Sequence, residues 1–596
     1  MPDALTINGY HLYHSFLSGY EYLLKERKHL NDINVFPVAD GDTGSNMVAT
    51  MYSTLQLPRV SRSAAKTLSY LADRSLSAAR GNSGIILAQF INGLAKECPK
   101  SDTITAPELG DALVRAAEGT RSALEDPREG TLLTVMSAWS SEFSRLVKAG
   151  GDLKEHFAQS LAAAQKALEN TKNQLDVLKK ANVVDAGASG FVSFIEGVTR
   201  MLLTGRVSWQ RKPFTVGFED TASAEHDLPE TSGEIPFRYC TEALLLNPDG
   251  TDLTSLRKEL APFGDSLIIT GGRDKVKIHI HTNEPARLFA GLGPHGRIIE
   301  QKIDDMVHQY NAVHHPVAKI AIVTDSIADI PQELIDRLQI HVIPLKILWG
   351  QDEYLDRLSI DTKTFYPWLD SREEFPSSSI PDPVRVEQVF SWLSTHYESV
   401  IAIPVGRVLS GTWQVMKNAA AKAQTPTCSF TVVDSKLNSA AQGLVVLAAA
   451  EDAATGMSHD DIVTRTEERI KGSRILVSVA TFKYMVRGGR ISAVKGAIAA
   501  LTHLKPIISL DSDGKGVAFG ASFSQGGSLK KISSAISKEK GHLGRYAVVH
   551  AASPERAEKW AKALEQELGR PCEYIMEISP IVGIHAGVGA LAVAWI

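Results

Sequence analysis

The sequence predicts a multidomain protein in three parts: an all-helical segment, a small α+β unit and a two-lobed α/β region. Three observations carry this reading. At 596 residues the chain exceeds what one hydrophobic core supports. Apolar residues recur at helical spacing over residues 1–205, where strand alternation is hard to find. Beyond 235 the period changes, first to one β-α-β-β-α-β unit over 235–315, then to alternating strands and helices over 319–596.

Composition narrows the functional classes. The chain is 44% hydrophobic and 22% charged, which is ordinary globular material. A net charge of −5 and no long basic run argue against nucleic acid as the main partner. Cys98, Cys240, Cys428 and Cys572 are scattered and form no disulfide framework. The start, MPDALTINGYHLYHSF, lacks a basic region followed by an apolar core. LVVLAAA at 444–450 is cut short by Glu451 and Asp452, so no integral membrane segment is expected. A soluble, cytoplasmic protein is the simplest expectation.

In the helical segment Leu12, Phe16, Tyr20 and Leu23 share one face, Met47, Met51 and Leu55 another, and Leu132, Val135, Trp139, Phe143 and Leu146 a third. Asn34–Met47, NVFPVADGDTGSNM, sets Asp40 and Asp42 on either side of a glycine just before a helix start. Two carboxylates so close repel unless a cation lies between them, and oxygen-rich acidic loops suit Mg²⁺ with phosphate as its remaining ligand. Three further glycine-bearing turns, RGNSG (80–84), EGT (129–131) and DAGASG (185–190), each precede an apolar helical run. Helix-start N–H groups are ready anion sites, and glycine permits close approach. Alone, each turn reads as a helix connection; together, beside the acidic loop, they point to Mg-nucleotide.

Residues 206–234 are polar, proline-bearing and aperiodic, and read as a linker. In the α+β unit, His279 and His281 lie two apart on a strand and so share a face, with Cys240 on a preceding strand. Cys plus two His can hold Zn²⁺, with a fourth position for water or a carboxylate. A buried cysteine near two hydrogen-bonded histidines is the alternative. The third region should form buried, mostly parallel strands in two lobes around a cleft. Polar residues gather where its strands end: VTDS (323–326), PSSSIPDP (376–383), GRVLSGTW (406–413), VRGGR (486–490) and GIHAGVG (583–589). Hydroxyls, a histidine and a helix N-terminus at one point can bind a carboxylate or a phosphate.

Residues 1–205 resemble the nucleotide-binding L subunit of dihydroxyacetone kinases, and more closely the kinase domain of bacterial fatty acid kinases; the resemblance runs through nearly all of NVFPVADGDTGSNM. It implies an eight-helix barrel binding ATP and two Mg²⁺. Asp40 and Asp42 would be metal ligands, and Asn34 falls near a third carboxylate of related kinases. Thr43, Asn46, Ser83, Gly84 and Thr131 would surround the nucleotide. The last turn departs, with Ala188-Ser189 where the fatty-acid-kinase pattern has Gly-Lys. The α+β unit is similar to the middle domain of the same kinases, where an equivalent Cys and His-x-His occur. Residues 319–596 resemble the DegV family of fatty-acid-binding proteins. That resemblance implies a buried acyl chain whose carboxyl group is held by Ser378, Ser379, Ser410 and His585, with Arg487 bordering it. Here too the chain departs: Ser377-Ser378-Ser379-Ile380-Pro381 stands for Thr-Thr-Ser-Gln-Pro, and Gly583-Ile584-His585-Ala586-Gly587 for Gly-Thr-His-Thr-Gly.

The resemblances together imply a fatty acid kinase with its lipid carrier on the same chain, forming an acyl phosphate for an acyltransferase, and a homodimer. Three alternatives stand beside it. One is a lipid-binding or sensing protein with an inactive kinase segment. Another is a dihydroxyacetone-type small-molecule kinase. The third is a hydrolase using Ser410, His585 and Asp434, although VLSGT is not the G-x-S-x-G elbow.

Overall fold

Apolar stripes at helical spacing build nine α-helices between Gly9 and Thr204 among the residues described by this computed structural model: 6–35, 41–56, 60–204, 235–246, 250, 252–271, 274–481, 483–487 and 504–596. Asp40, Arg490 and the linker 206–234 therefore lie outside the described residues. Helix starts are chemically marked. Asn8 and His11 form a capping box before Gly9–Asp32, and Thr105 with Glu108 does the same before Ala106–Ser122. The stripes meet in one core where Phe16 packs edge-on against Phe194 at 5.4 Å and Trp139 against Phe191 at 5.8 Å. The helices Gly9–Asp32 and Ala186–Thr204 approach so closely that a Cβ added at Gly197 would lie 2.3 Å from the Ser18 carbonyl oxygen.

The chain divides into two compact units. One comprises Met1–Phe214, Asp220–Pro285 and Leu292–Tyr310; the other is mainly Asn311–Ile596. In the first unit a four-stranded antiparallel sheet runs in the order Gly264–Gly271, Lys275–Thr282, Tyr239–Leu246, Arg297–Asp305. Its helix Leu253–Leu260 follows the first strand in sequence, and Pro285–Leu292 links the third to the fourth. The sheet is docked on the helices. Ile268 packs with Ala79, Ile85 and Ala88, Asn92 Nδ2 donates to the Gly271 carbonyl at 2.7 Å, and the Arg257 guanidinium donates to the Ser122 and Ala123 carbonyls at 3.1 and 2.8 Å.

In the second unit a four-stranded parallel sheet runs Ser429–Val432, Ser399–Ala402, Ile320–Asp325, His341–Ile343. The six-stranded sheet corrects the expectation of mostly parallel strands. In the order Gly516–Ser522, Lys505–Leu510, Arg474–Ser478, Leu591–Trp595, Tyr546–His550, Ile575–Glu577, only its last pair is parallel. The apolar run 341–349 reads as one strand but forms two, His341–Ile343 and Lys346–Trp349, in different sheets. Pro344, which has no N–H to give a ladder, falls at the break. The helix Ser439–Ala454 is apolar nearly all round and buried along its length, as a helix packed on several sides must be. No described helix is long and apolar enough to cross a membrane.

Close helix packing makes a specific prediction. Gly197→Val should lower stability by about 1–3 kcal/mol through overpacking. Gly119→Ala, in a helix with open space at the added Cβ, should be neutral or stabilising by up to about 1 kcal/mol. Chemical denaturation of the two variants tests this, and equal effects would refute the packing argument.

Candidate functional site

Four helix starts in the first unit carry the sequence-predicted turns. Gly41 enters the helix Thr43–Thr54 at φ 65°, and Asp42 occupies the cap position without using its side chain as a cap, so its carboxylate is left for another partner. The Thr43 hydroxyl donates to Asn34 Oδ1 at 2.7 Å inside the fold, tying Asn34 to the helix start. Asn31 grips the same helix start, donating to Ser45 Oγ at 2.9 Å and accepting from Ser45 N–H at 3.1 Å. Gly81, at φ 58°, opens the helix Gly81–Glu97, and a Cβ there would sit 2.4 Å from the Asn46 side-chain amide. A Cβ at Gly84 would lie 2.5 Å from Thr50 Oγ1, and one at Gly187 would lie 2.9 Å from Ser83 Oγ. The turns bearing Asn46, Ser83, Gly84 and Gly187 are thus packed on one another. Thr131 caps Leu132–Ala149 by position only; its hydroxyl donates to the Arg128 carbonyl at 2.8 Å.

Asp185 joins two of these starts and was not singled out from the sequence. Fully buried, it accepts from Ala188 N–H at 2.7 Å and from the Leu132 N–H. Burial pushes its carboxyl up to about 6 against those two bonds. Only its place in DAGASG, at a helix start, could have pointed to it. Ala188 is buried at that start and Ser189, half-buried, takes the place of the lysine of the kinase pattern, so the turn offers no cationic side chain.

The antiparallel register places Cys240 opposite His281 and Asp304, and Glu242 opposite His279 and Lys302; directly paired residues share a face. Cys240, His279 and His281 offer donor atoms all within 4.8 Å of one another. Cys240 Sγ lies 3.9 Å from His279 Nδ1, and His281 Nδ1 faces Asp265 Oδ1 at 3.3 Å. His279 Nε2 is buried without a hydrogen-bond partner. Burial pushes His279 down to about 4, keeping it the neutral imidazole that a metal requires. The donor set therefore fits Zn²⁺.

The structure brings together what the sequence suggested separately. A cleft of about 50 Å³ is lined on one side by Asn34, Asp42, Thr43, Asn46 and Ser83, and on the other by Cys240, His279, His281, Lys302 and Asp304. Glu242 fixes the two sides: its Oε1 accepts from Gly81 N–H at 3.0 Å and its Oε2 pairs with Lys277 Nζ at 2.8 Å. Burial would raise the Glu242 carboxyl, but the cations Lys277 and Lys302, with His279, hold it well below the usual range.

In the second unit Ser378, Ser379, Ser410 and His585 line one cavity of about 390 Å³, whose walls include Leu345, Val405, Ile475, Val479 and Ile581. Ser378 and Ser379 sit on a short strand paired with Lys346–Trp349. Ser410 Oγ lies 2.8 Å from Thr412 Oγ1 and accepts from Thr412 N–H at 3.3 Å, ahead of the helix Thr412–Ala423. His585 lies on Pro580–Ala586, whose start is pinned by two buried acids missed in the sequence. Asp329 Oδ1 accepts from Ser579 N–H at 2.8 Å, and Asp356 Oδ1 from Ile581 N–H at 3.3 Å. Asp329 also pairs with Arg357 and accepts from the Ser439 hydroxyl. Arg487 is not among the described residues lining the cavity; its guanidinium lies 4.9 Å over the Phe375 ring. Asp434 accepts from the N–H groups of Arg407 and Lys436 at 3.0 and 3.2 Å and, unlike Ser410 and His585, is not among the described residues lining the cavity.

Burial pushes Asp356 up to about 7, with Arg357 opposing it. An acid raised above its unfolded value of about 3.9 binds its proton more tightly when folded. Its contribution is therefore complete below about pH 4 and lost as pH rises to about 7. Asp356→Asn should flatten the decline of stability across that window in denaturation curves; an unchanged slope would assign the decline to other groups.

Family comparisons divide the chain in the same order. Residues 37–200 match the model described as DAK2 domain, and residues 236–313 match the middle-domain model of fatty-acid-kinase-like proteins. Residues 319–596 match the DegV family, described as uncharacterised. An uncharacterized protein of Staphylococcus saprophyticus is 30% identical over 311 residues, covering 50% of this chain and 55% of that protein. One of Staphylococcus haemolyticus is 31% identical over 314 residues, covering 52% and 56%. The chain thus spans little more than half the length of these curated relatives. Among solved structures, DegV of Bacillus subtilis, a fatty acid binding protein, is 30% identical over 47% of this chain and 99% of its own, with a TM-score of 0.44. A DegV family protein of Thermus thermophilus that binds fatty acid is 27% identical over 46% of this chain and 99% of its own, with a TM-score of 0.42. The chain carries, in this order, a DAK2-type kinase-like segment, a middle segment of the fatty-acid-kinase-like type and a DegV-family segment.

Proposed function

We propose that this chain is an ATP-dependent fatty acid kinase that holds its lipid substrate on the same polypeptide. The observation that carries the reading is the cavity of about 390 Å³, apolar along its walls, with Ser378, Ser379, Ser410 and His585 as polar lining, on a chain whose other unit gathers helix starts around Asp42. Such a cavity suits an acyl chain with a carboxylate at its polar end. In this reading the helical part, with nine α-helices among its described residues where the resemblance implies eight, is the nucleotide domain, and the following unit is the split β-α-β middle domain.

The carboxylate is ionised near pH 7 and needs no general base. Its oxygen attacks the γ-phosphorus of ATP, the bond from that phosphorus to the β-bridging oxygen breaks, and ADP leaves as an acyl phosphate forms. Ser378, Ser379, Ser410 and His585 orient the carboxylate. Thr43, Asn46, Ser83, Gly84 and Thr131 hold the nucleotide through hydroxyls, amides and helix-start N–H groups. Asp42, with Asp40, would hold Mg²⁺, which supplies charge neutralisation at the β- and γ-phosphates. Cys240, His279 and His281 would hold Zn²⁺ in the middle domain. Arg487, exposed near Phe375, is available to the product anion. The product is a mixed anhydride, suited to consumption by an acyltransferase.

A second reading, lipid binding without ATP turnover, is favoured by the Ala188-Ser189 turn, where Ser189 stands in place of the lysine of the kinase pattern. Fatty-acid-dependent ADP release by the purified chain decides between them; its absence supports the second reading. Asp42→Ala should cut turnover by at least about a hundredfold and leave co-purifying lipid in place. Ser410→Ala with His585→Ala should reduce lipid-dependent turnover while nucleotide still binds. Turnover retained in Asp42→Ala would refute the metal assignment. Elemental analysis should find about one zinc per chain, lost in Cys240→Ser; a metal-free, fully active protein would refute the zinc site.

A further inference from the structure

The middle segment contributes more than a metal-ligand set to the cleft. Among the described residues lining it, Lys302 is the one lysine or arginine. It sits on the strand Arg297–Asp305, directly opposite Glu242, so the two side chains leave the same face of the sheet about 5 Å apart at Cβ. Glu242 is itself bonded to Gly81 N–H at 3.0 Å, the first residue of the helix Gly81–Glu97. Lys302 is therefore held one strand spacing from a helix start proposed to face phosphate.

Charge separates the two lysines of this face. Lys277 is consumed by the buried pair with Glu242 at 2.8 Å, its side chain 6% exposed. Lys302 Nζ makes a 2.7 Å pair with Asp304, on its own strand, and keeps 25% exposure. On the other wall stand Asp42 and the hydroxyl and amide groups of Thr43, Asn46 and Ser83, with no cationic side chain at the Ala188-Ser189 turn. An anionic phosphate chain brought to these groups requires a cation that the helical wall does not supply there. A lysine ammonium is a compact point charge suited to that task.

We infer that Lys302 of the middle segment is the cationic phosphate contact of the nucleotide site, reaching across the cleft to the β- and γ-phosphates. The inference rests on the proposed ATP-dependent reading and assigns the middle segment a direct part in it. Phosphate displaces Asp304 as the partner of Lys302 when nucleotide binds, and the Glu242–Gly81 bond keeps the strand in register with the helix start.

The test compares the full-length chain with Lys302→Met, Lys302→Gln and Lys302→Arg, using Mg-ATP and AMP as probes in calorimetry and fatty-acid-dependent ADP release as the rate. Lys302→Met and Lys302→Gln should lose the preference for ATP over AMP by at least tenfold and turnover by about a hundredfold, with Lys302→Arg recovering part of each. Zinc content and thermal midpoint should stay at wild-type values in the variant that carries the conclusion. A residue that only neutralises Asp304 and Glu242 would instead change zinc content or midpoint while leaving the ATP-over-AMP preference intact. That result, or full turnover in Lys302→Met, overturns the assignment while the kinase reading stands. A wild-type chain that binds no ATP overturns the kinase reading itself, and Lys302 falls with it.

Discussion

The cleft of the first unit depends on one buried carboxylate. Glu242 is 2% exposed and bonded to Lys277 on its own sheet and to the Gly81 backbone of a helix 161 residues earlier in the chain. Taking two charges out of water costs several kcal/mol per ion, and only tight pairing with further hydrogen bonds offsets it. Glu242 meets that condition by giving one oxygen to the ammonium and the other to an N–H that a helix start leaves without an intrahelical partner. The arrangement secures a position: sliding the helix start off the sheet would strip a buried carboxylate oxygen of its hydrogen bond, while the Lys277 pair stays within the sheet. Removing one partner of such a pair typically costs about 3–5 kcal/mol. The remaining bonds between sheet and helices, from Asn92 and Arg257, are amide and guanidinium bonds to carbonyls that follow once the register is set.

The second unit solves a similar problem with acids that have no full counter-charge. Asp329 shares Arg357, the Ser439 hydroxyl and the Ser579 N–H, while Asp356 takes the Ile581 N–H. Both bonds end at the start of the short helix that carries His585. The first turn of a helix has N–H groups to give, and a buried carboxylate is a strong acceptor for them. In both units a buried acid thus orients a cavity-lining element through its backbone. Asp185 works the same way between two helix starts.

Local chemistry made part of this legible before any coordinates. Two residues apart on a strand means one face, so His279 and His281 could be paired on paper, and the helix starts announced themselves by glycines and hydroxyl residues. The groups that bind segments together were not legible. Glu242 reads as one acid in an apolar strand, and its partner Gly81 as one glycine of a turn; nothing in their local sequence encodes a bond across 161 positions. Asp329 and Asp356 are hidden for the same reason. Strand direction was misjudged because short apolar runs look alike whether their neighbours run parallel or antiparallel, and only the connections distinguish them. Pro344 did carry the signal that an apparent single strand is two.

The composite cleft changes what the middle segment is for. Read alone, a sheet with a Cys-His-His face is a metal module or a spacer between larger domains. Its register, however, places the metal-ligand row and the Glu242–His279–Lys302 row side by side on one face, and that face is turned toward the helix starts of Gly81–Glu97 and Thr43–Thr54. A metal on the first row would raise the positive potential at the second, and the second is tied to the backbone of the first helix start. The helical wall brings oxygen and amide groups; the sheet wall brings Lys302 and the metal ligands. On the proposed nucleotide reading neither wall alone would balance the charge of a triphosphate, and the buried Glu242 bond ties the two walls together.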